Sequence, residues 1–336
     1  MRIEKVSLTF LFVFLLVFSS QSFAQSGQAD SCDVPLVVMR FNVSTGAVEP
    51  VRDLGPANFQ VRLNGVATPL HSASVDSGPK RIAVILDGSQ KIPQNEWEME
   101  TEMAAYFVEL GRPKDRFALL YVGMDGSSDS FLTSGEADER IRKLMVSRPA
   151  RIDSDERTLD ALLAAASRLD PPMFGDSLFL FGHPEDTGSK KDDPDKVIEL
   201  IMKNRIRFYG VSFLDPLMGK LTPAIDINKP LPADLLALVS PKLAEMSAAT
   251  GYNFSFHSLL ALSQPGQTRL FRGFLQDVYS GIAEPYRLNL FTSTDLSAQT
   301  KLDISIADLN DQKINSRDFH YPKYIFPCAS PRSSDP

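Results

Sequence analysis

Through the middle of the chain, short unbroken apolar runs alternate with amphipathic stretches, whereas strictly alternating runs occur at both ends. Arg81–Leu86 (RIAVIL), Arg116–Val122 (RFALLYV), Ser177–Phe181 (SLFLF) and Ile206–Leu214 are apolar and rich in β-branched or aromatic residues, as strands buried on both faces are. Between them lie segments with apolar residues at helical spacing. Gln94–Leu110 carries Met99, Met103 and Phe107 and stops at Gly111, and Ala137–Val146 carries Ile141, Leu144 and Met145. Thr158–Leu169 repeats through Leu159, Leu162, Leu163 and Ala166; Asp195–Asn204 and Pro241–Thr250 follow, the last stopping at Gly251. Tyr252–Phe256 closes the series as a short strand. Repeated βα units predict an α/β fold with a mostly parallel, doubly wound sheet and helices on both faces. Trp97 and the Met99/Met103/Phe107 stripe are expected in the helix–sheet core.

The ends of the chain follow a different period. Val34–Val43 reads as a strand, Ser44-Thr45-Gly46 as a turn, and Asn58–Leu63 alternates up to Asn64-Gly65, a strong hairpin signal. From residue 268 a helix presents Leu270, Phe271, Phe274, Leu275, Val278, Tyr279 and Ile282, after which Tyr286–Leu290 and Leu302–Ile306 alternate cleanly. The expected organisation is an N-terminal β segment (33–79), an α/β domain (80–284) and C-terminal strands (285–328) that pair with 33–79 into a small antiparallel sandwich. Residues 215–241 hold Pro216, Pro223, Pro230, Pro232 and Pro241, too many for a regular element. Loops of this length are usually functional or mobile, and this one is expected to leave the sheet at its carboxyl edge.

Composition narrows the class of molecule. With 43% hydrophobic and 23% charged residues the chain is an ordinary globular one. Its 35 basic against 42 acidic residues, net −7, argue against a nucleic-acid partner, whose phosphates need neutralising. Arg2 and Lys5 precede the apolar run Val6–Phe18, which is too short to span a bilayer, and Ser22-Phe23-Ala24 supplies the small residues of a cleavage site. Residues 1–24 are therefore expected to be a signal peptide. The mature chain is then secreted or periplasmic, with no later segment apolar enough to span a membrane. Export permits a disulfide; if both thiols are oxidised, Cys32 and Cys328 can only pair with each other. His71, His183, His257 and His320 lack metal-ligand spacing, and Ser89 is not in a nucleophile elbow.

The strand ending in Leu86-Asp87-Gly88-Ser89-Gln90-Lys91 places an acid where open parallel sheets bind ligands, beyond the carboxyl ends of their strands. The SLFLF strand ends in Gly182-His183-Pro184-Glu185-Asp186-Thr187, and Thr158 opens a helix between the two. With the Pro56–Val66 segment, Thr158-Leu159-Asp160-Ala161-Leu162, Glu185–Ser189, the helix end at Ala248–Tyr252 and the closing Tyr286-Arg287-Leu288, this order resembles the von Willebrand factor type A domain of secreted bacterial VWFA-related proteins. That resemblance implies a three-loop metal-ion-dependent adhesion site that binds a protein partner through Mg²⁺. Asp87, Ser89 and Thr158 match its ligands. Lys91 stands where a second Ser belongs, and His183 where an Asp belongs. Both changes disfavour a hard cation, so at most weak Mg²⁺ is expected, with Asp186 or the Lys91 ammonium as possible substitutes. The reading is a non-catalytic binding module for a protein partner, using Asp87, Ser89, Lys91, Thr158, His183 and Asp186. The alternatives are a phosphatase-like hydrolase using Asp87, and a structural envelope protein with a vestigial site.

Overall fold

The computed structural model describes residues 30–42, 47–87, 94–122, 127, 130–147, 158–182, 194–213, 241–250, 254–257, 265–292, 299–307 and 319–325. The segment expected to be a signal peptide, the expected turn at Ser44-Thr45-Gly46 and the Pro-rich stretch up to residue 240 lie outside them. In chain order the strands are β1 Asp30–Asn42, β2 Ala47–Pro50, β3 Phe59–Leu63, β4 Val66–Thr68, β5 Leu70–Val75, β6 Arg81–Asp87, β7 Arg116–Val122, β8 Ser177–Gly182, β9 Arg207–Phe213, β10 Phe254–His257, β11 Tyr286–Thr292, β12 Thr300–Ile306, β13 Phe319–His320 and β14 Tyr324–Ile325. The helices are α1 Gln94–Glu109, α2 Ser134–Val146, α3 Thr158–Arg168, α4 Pro194–Lys203, α5 Pro241–Thr250 and α6 Pro265–Ala283.

The middle of the chain forms one parallel sheet in the order β10-β9-β8-β6-β7. Because side chains alternate along a strand, its two faces feed two cores. Ile82, Val84 and Leu86 pack with Trp97, Met103 and Phe107 of α1, Ile141 of α2 and Phe271, Leu275 and Tyr279 of α6. Ala83 and Ile85 pack with Leu159 and Leu162 of α3, Val197 and Ile201 of α4, and Leu243 and Met246 of α5. The expected Trp97/Met103/Phe107 stripe is thus core, with Met99 partly buried beside it. An antiparallel bridge from Leu132 to Phe117 covers part of the β7 edge.

Both chain ends are antiparallel and pair with each other. One sheet runs β13-β1-β11-β5 with β2 on β1, the other β14-β12-β3-β4. Cys32 lies opposite Leu290 and Val61 opposite Ile304. Cys32, Val34 and Leu36 share a hydrophobic cluster with Phe59, Val61, Leu288, Leu302 and Ile304, to which both sheets contribute. Cys32 is fully buried; Cys328, its expected disulfide partner, lies outside the described residues. Asn64 (φ 48°) and Gly65 (φ 82°) both have positive φ, which joins β3 to β4 as the Asn-Gly pair predicts.

Several boundaries differ from the sequence reading. Helix α2 begins at Ser134 rather than Ala137, because Thr133 and Glu136 form a capping box in which each side chain takes up the other's main-chain N–H. Helix α6 starts at Pro265 rather than 268; proline fits a first helical turn, where its missing N–H has no partner to lose. Strand β1 starts at Asp30, ahead of Val34, because β11 extends far enough to pair Asp30 with Thr292. Strand β10 runs Phe254–His257 rather than from Tyr252. No helix among the described residues is long and apolar enough to cross a membrane.

Candidate functional site at the carboxyl edge of the parallel sheet

The strand order decides where the sheet can bind. From β6 the chain moves to one side, forming β7 at the edge. It then returns to the other side of β6, where β8, β9 and β10 follow in turn. The order therefore reverses between β6 and β8, the place where open parallel sheets bind ligands beyond the carboxyl ends of their strands. Asp87 is the last residue of β6 and Gly182 the last of β8.

Asp87 is only 5% exposed, and it is held from two directions. Its main-chain N–H donates to Oε1 of Glu100 at 2.7 Å. Across the switch point, a Cβ added at Gly182 would stand 3.2 Å from the Asp87 Cβ, so glycine lets the two strand ends approach closely. Thr158, the first residue of α3, is 3% exposed. Of the six residues expected at the site, Asp87 and Thr158 are therefore buried near the ends of their elements. Ser89, Lys91, His183 and Asp186 lie outside the described residues.

Glu100 was missed by the sequence reading. It is fully buried on α1. Its signal is an acid set in the apolar stripe Trp97, Met103, Ala104, Phe107, three or four positions from its neighbours. A buried carboxylate requires hydrogen-bonded donors, and the Asp87 main chain supplies one.

The opposite, amino-terminal edge of the sheet is closed by charge. Lys80, Asp115 and Asp176 each directly precede a strand and Arg207 opens one; all four are buried. Lys80 Nζ pairs with Asp76 at 2.7 Å. Asp115 accepts from Lys80 N–H at 2.9 Å, from Arg112 Nε at 2.8 Å and Nη2 at 2.9 Å, and from the Tyr279 hydroxyl. Arg81 forks onto Asp176 through Nε at 3.0 Å and Nη2 at 2.5 Å. Arg207 donates to the carbonyls of Gly175 (2.7 Å), Gly281 (3.0 Å) and Ile282 (2.9 Å), the last two at the end of α6. Burial alone raises a carboxyl pKa, but at Asp115 the hydrogen bonds from Arg112, Tyr279 and Lys80 outweigh it and the net shift is downward. Burial dominates at Asp176, which is raised despite Arg81, and at Lys80, which is lowered despite Asp76. This network ties α6 to the α/β core.

A metal of the adhesion-site kind needs a shell of hard oxygens. Asp87, Ser89 and Thr158 carry oxygens in the sequence, and Lys91 and His183 stand where two further oxygen donors were expected. Among the described residues, no group of three or more His, Cys, Asp or Glu is placed to hold a metal.

No protein-family model matches the chain, and no curated protein matches it. Similar solved structures include a von Willebrand factor type A protein from Catenulispora acidiphila, at 10% identity over 80% of this chain and 73% of that one, TM-score 0.43. They also include proximal thread matrix protein 1 of the mussel byssus, at 16% identity over 64% of this chain and 49% of that one, TM-score 0.41. The human COPII-coat protein Sec24c aligns at 10% identity over 76% of this chain, TM-score 0.40. The chain spans less than half the length of the mussel protein and of Sec24c, 49% and 44%.

Proposed function

We propose that this chain is an exported, non-catalytic binding protein of the von Willebrand A type. On this reading it engages a protein partner at the carboxyl edge of its parallel sheet without a tightly bound metal. The observation that carries the reading is the reversal of strand order between β6 and β8 with Asp87 and Gly182 at its two lips. Ser89, Lys91, Thr158, His183 and Asp186 complete the surface. A doubly wound sheet is supported by the two helix-lined cores, and a sandwich of the two chain ends by the cluster that both antiparallel sheets share. Residues 1–24 direct export. A Cys32–Cys328 disulfide then ties the first strand to the last. Ile325 lines one small cavity with Asp33 and Val34, and three residues of chain can reach at most about 10 Å.

Three measurements on the protein beginning at Gln25 test the reading. Calorimetry with Mg²⁺, Mn²⁺ and Ca²⁺ should show no micromolar binding; such binding, lost in Asp87→Ala, would overturn the metal-free claim. Photo-crosslinkers placed at the carboxyl edge should capture a discrete envelope protein that crosslinkers at the amino-terminal edge do not. Turnover of p-nitrophenyl phosphate that disappears in Asp87→Asn would replace the binding reading with a hydrolase.

A further inference from the structure

Away from the carboxyl edge, a groove of about 810 Å³ runs between helices α4 and α5 on one side and strands β12 and β14 on the other. Its two walls carry opposite charge. Asp195, Glu199 and Glu245 line the helical wall, and Lys301 and Lys323 the strand wall. Tyr324 lies in the same groove with 39% of its surface exposed, one of few large apolar side chains so exposed among the described residues.

Two features make this a preformed slot. Lys323 N–H donates to the Ala249 carbonyl of α5 at 3.1 Å, while the Lys323 carbonyl accepts from Leu302 of β12 at 2.9 Å. Main-chain bonds thus hold the two walls in one relative position, which lowers the ordering cost of filling the groove. Both ammonium groups are also engaged on their own wall. Lys301 approaches Asp303 at 3.4 Å, and Lys323 sits 3.9 Å from the centroid of the Tyr321 ring. Asp195 and Glu199 stand one helical turn apart on the helical wall.

We propose that this groove binds an extended polypeptide segment in which basic and acidic residues alternate. Successive side chains of an extended chain point in opposite directions. A segment lying along the groove therefore presents its odd residues to one wall and its even residues to the other. Lys or Arg at one parity meets Asp195, Glu199 and Glu245; Asp or Glu at the other meets Lys301 and Lys323; Tyr324 packs against the aliphatic stems between them. The acidic wall excludes a nucleic acid or an anionic membrane, whose charge is of one sign throughout. The site is separate from the carboxyl edge and stands whether or not that edge binds a partner.

The test uses fluorescein-labelled peptides (Lys-Glu)₅, the block sequence Lys₅-Glu₅ and a Gln-for-charge control, titrated by anisotropy against the protein beginning at Gln25. The alternating peptide should bind at least about tenfold more tightly than either control and weaken as salt rises. Glu199→Lys with Glu245→Lys, and separately Lys301→Glu with Lys323→Glu, should each remove that preference while leaving the circular-dichroism spectrum intact. Equal affinity for block and alternating peptides, no binding, or no effect of either double variant would overturn the proposal. Two further outcomes would also overturn it, each by assigning the groove to another occupant. Self-association abolished by the same variants would assign it to a second copy. Binding that appears only when Ala329–Pro336 are removed would assign it to the chain's own end.

Discussion

Replacing Asp115 by Asn tests how much of the fold hangs on the amino-terminal edge of the parallel sheet. Asp115 is fully buried and receives the Lys80 main-chain N–H, two N–H groups of Arg112 and the Tyr279 hydroxyl. The amide keeps one acceptor oxygen, but it turns a donor NH₂ toward donors and leaves the Arg112 guanidinium opposite no charge. Removing one partner of a buried pair costs about 3–5 kcal/mol. Arg112 retains 20% side-chain exposure, which places the expected loss near the lower end, about 3 kcal/mol. With a urea dependence of about 3 kcal/mol/M for a chain of this size, the unfolding midpoint should fall by about 1 M. Trp97, the only tryptophan and fully buried, reports the transition by fluorescence. The effect should also depend on pH with a definite sign. The folded carboxyl titrates below its ordinary value, so its contribution is complete above the unfolded pKa and disappears as pH falls through the folded one. Wild type and Asp115→Asn should therefore converge in acid. A midpoint shift under about 0.3 M at neutral pH with unchanged slope, or a difference that does not narrow as pH falls, would refute the reasoning.

Asp277 on α6 is expected to behave oppositely: burial pushes its carboxyl up to about 6, against about 3.9 in an unfolded chain. Its ionisation opposes folding as pH rises through that interval, so Asp277→Asn should raise the thermal midpoint at pH 7.5 and leave it unchanged at pH 3.5. Cys328→Ser should destabilise the exported protein by at most about 5 kcal/mol, the chain-entropy value for a loop of several hundred residues, with no added effect from Cys32→Ser. Non-reducing peptide mapping that finds both thiols free removes that bond. Gly182→Ala should disturb the carboxyl edge before it disturbs the core, because the new methyl meets Asp87 Cβ at 3.2 Å. Crosslinking at the edge should fall while the urea midpoint moves by less than about 0.5 M.

The elements of the α/β middle were legible because their signals are local. RIAVIL, RFALLYV and SLFLF declare strands buried on both faces within a few residues, and Asn64-Gly65 declares its turn through a backbone that few other residues adopt. The acid at the end of the first such strand was equally visible, since Asp87 directly follows an apolar run. Boundaries were less legible. The start of α2 depends on a reciprocal bond between Thr133 and Glu136 that apolar spacing does not register, and the start of β1 depends on how far a partner strand some two hundred and sixty residues away extends.

What the chain alone could not determine is which strands become neighbours, because pairing is a contact between segments far apart in sequence. Only the tertiary structure places β8 beside β6 rather than beyond β7. That choice puts Asp87 and Gly182 side by side at the ends of neighbouring strands instead of at unrelated strand ends. The same holds for Glu100, whose place in an apolar stripe looks like a fault until the Asp87 N–H is found against it. It holds for Lys80, Asp115, Asp176 and Arg207 as well. Each precedes or opens an apolar run as an ordinary charge, and the fold then gathers them into one buried network. Local periodicity sets which residues are buried and in which element. Long-range packing sets what each buried charge faces, and in a low-dielectric interior that decides whether it is compensated.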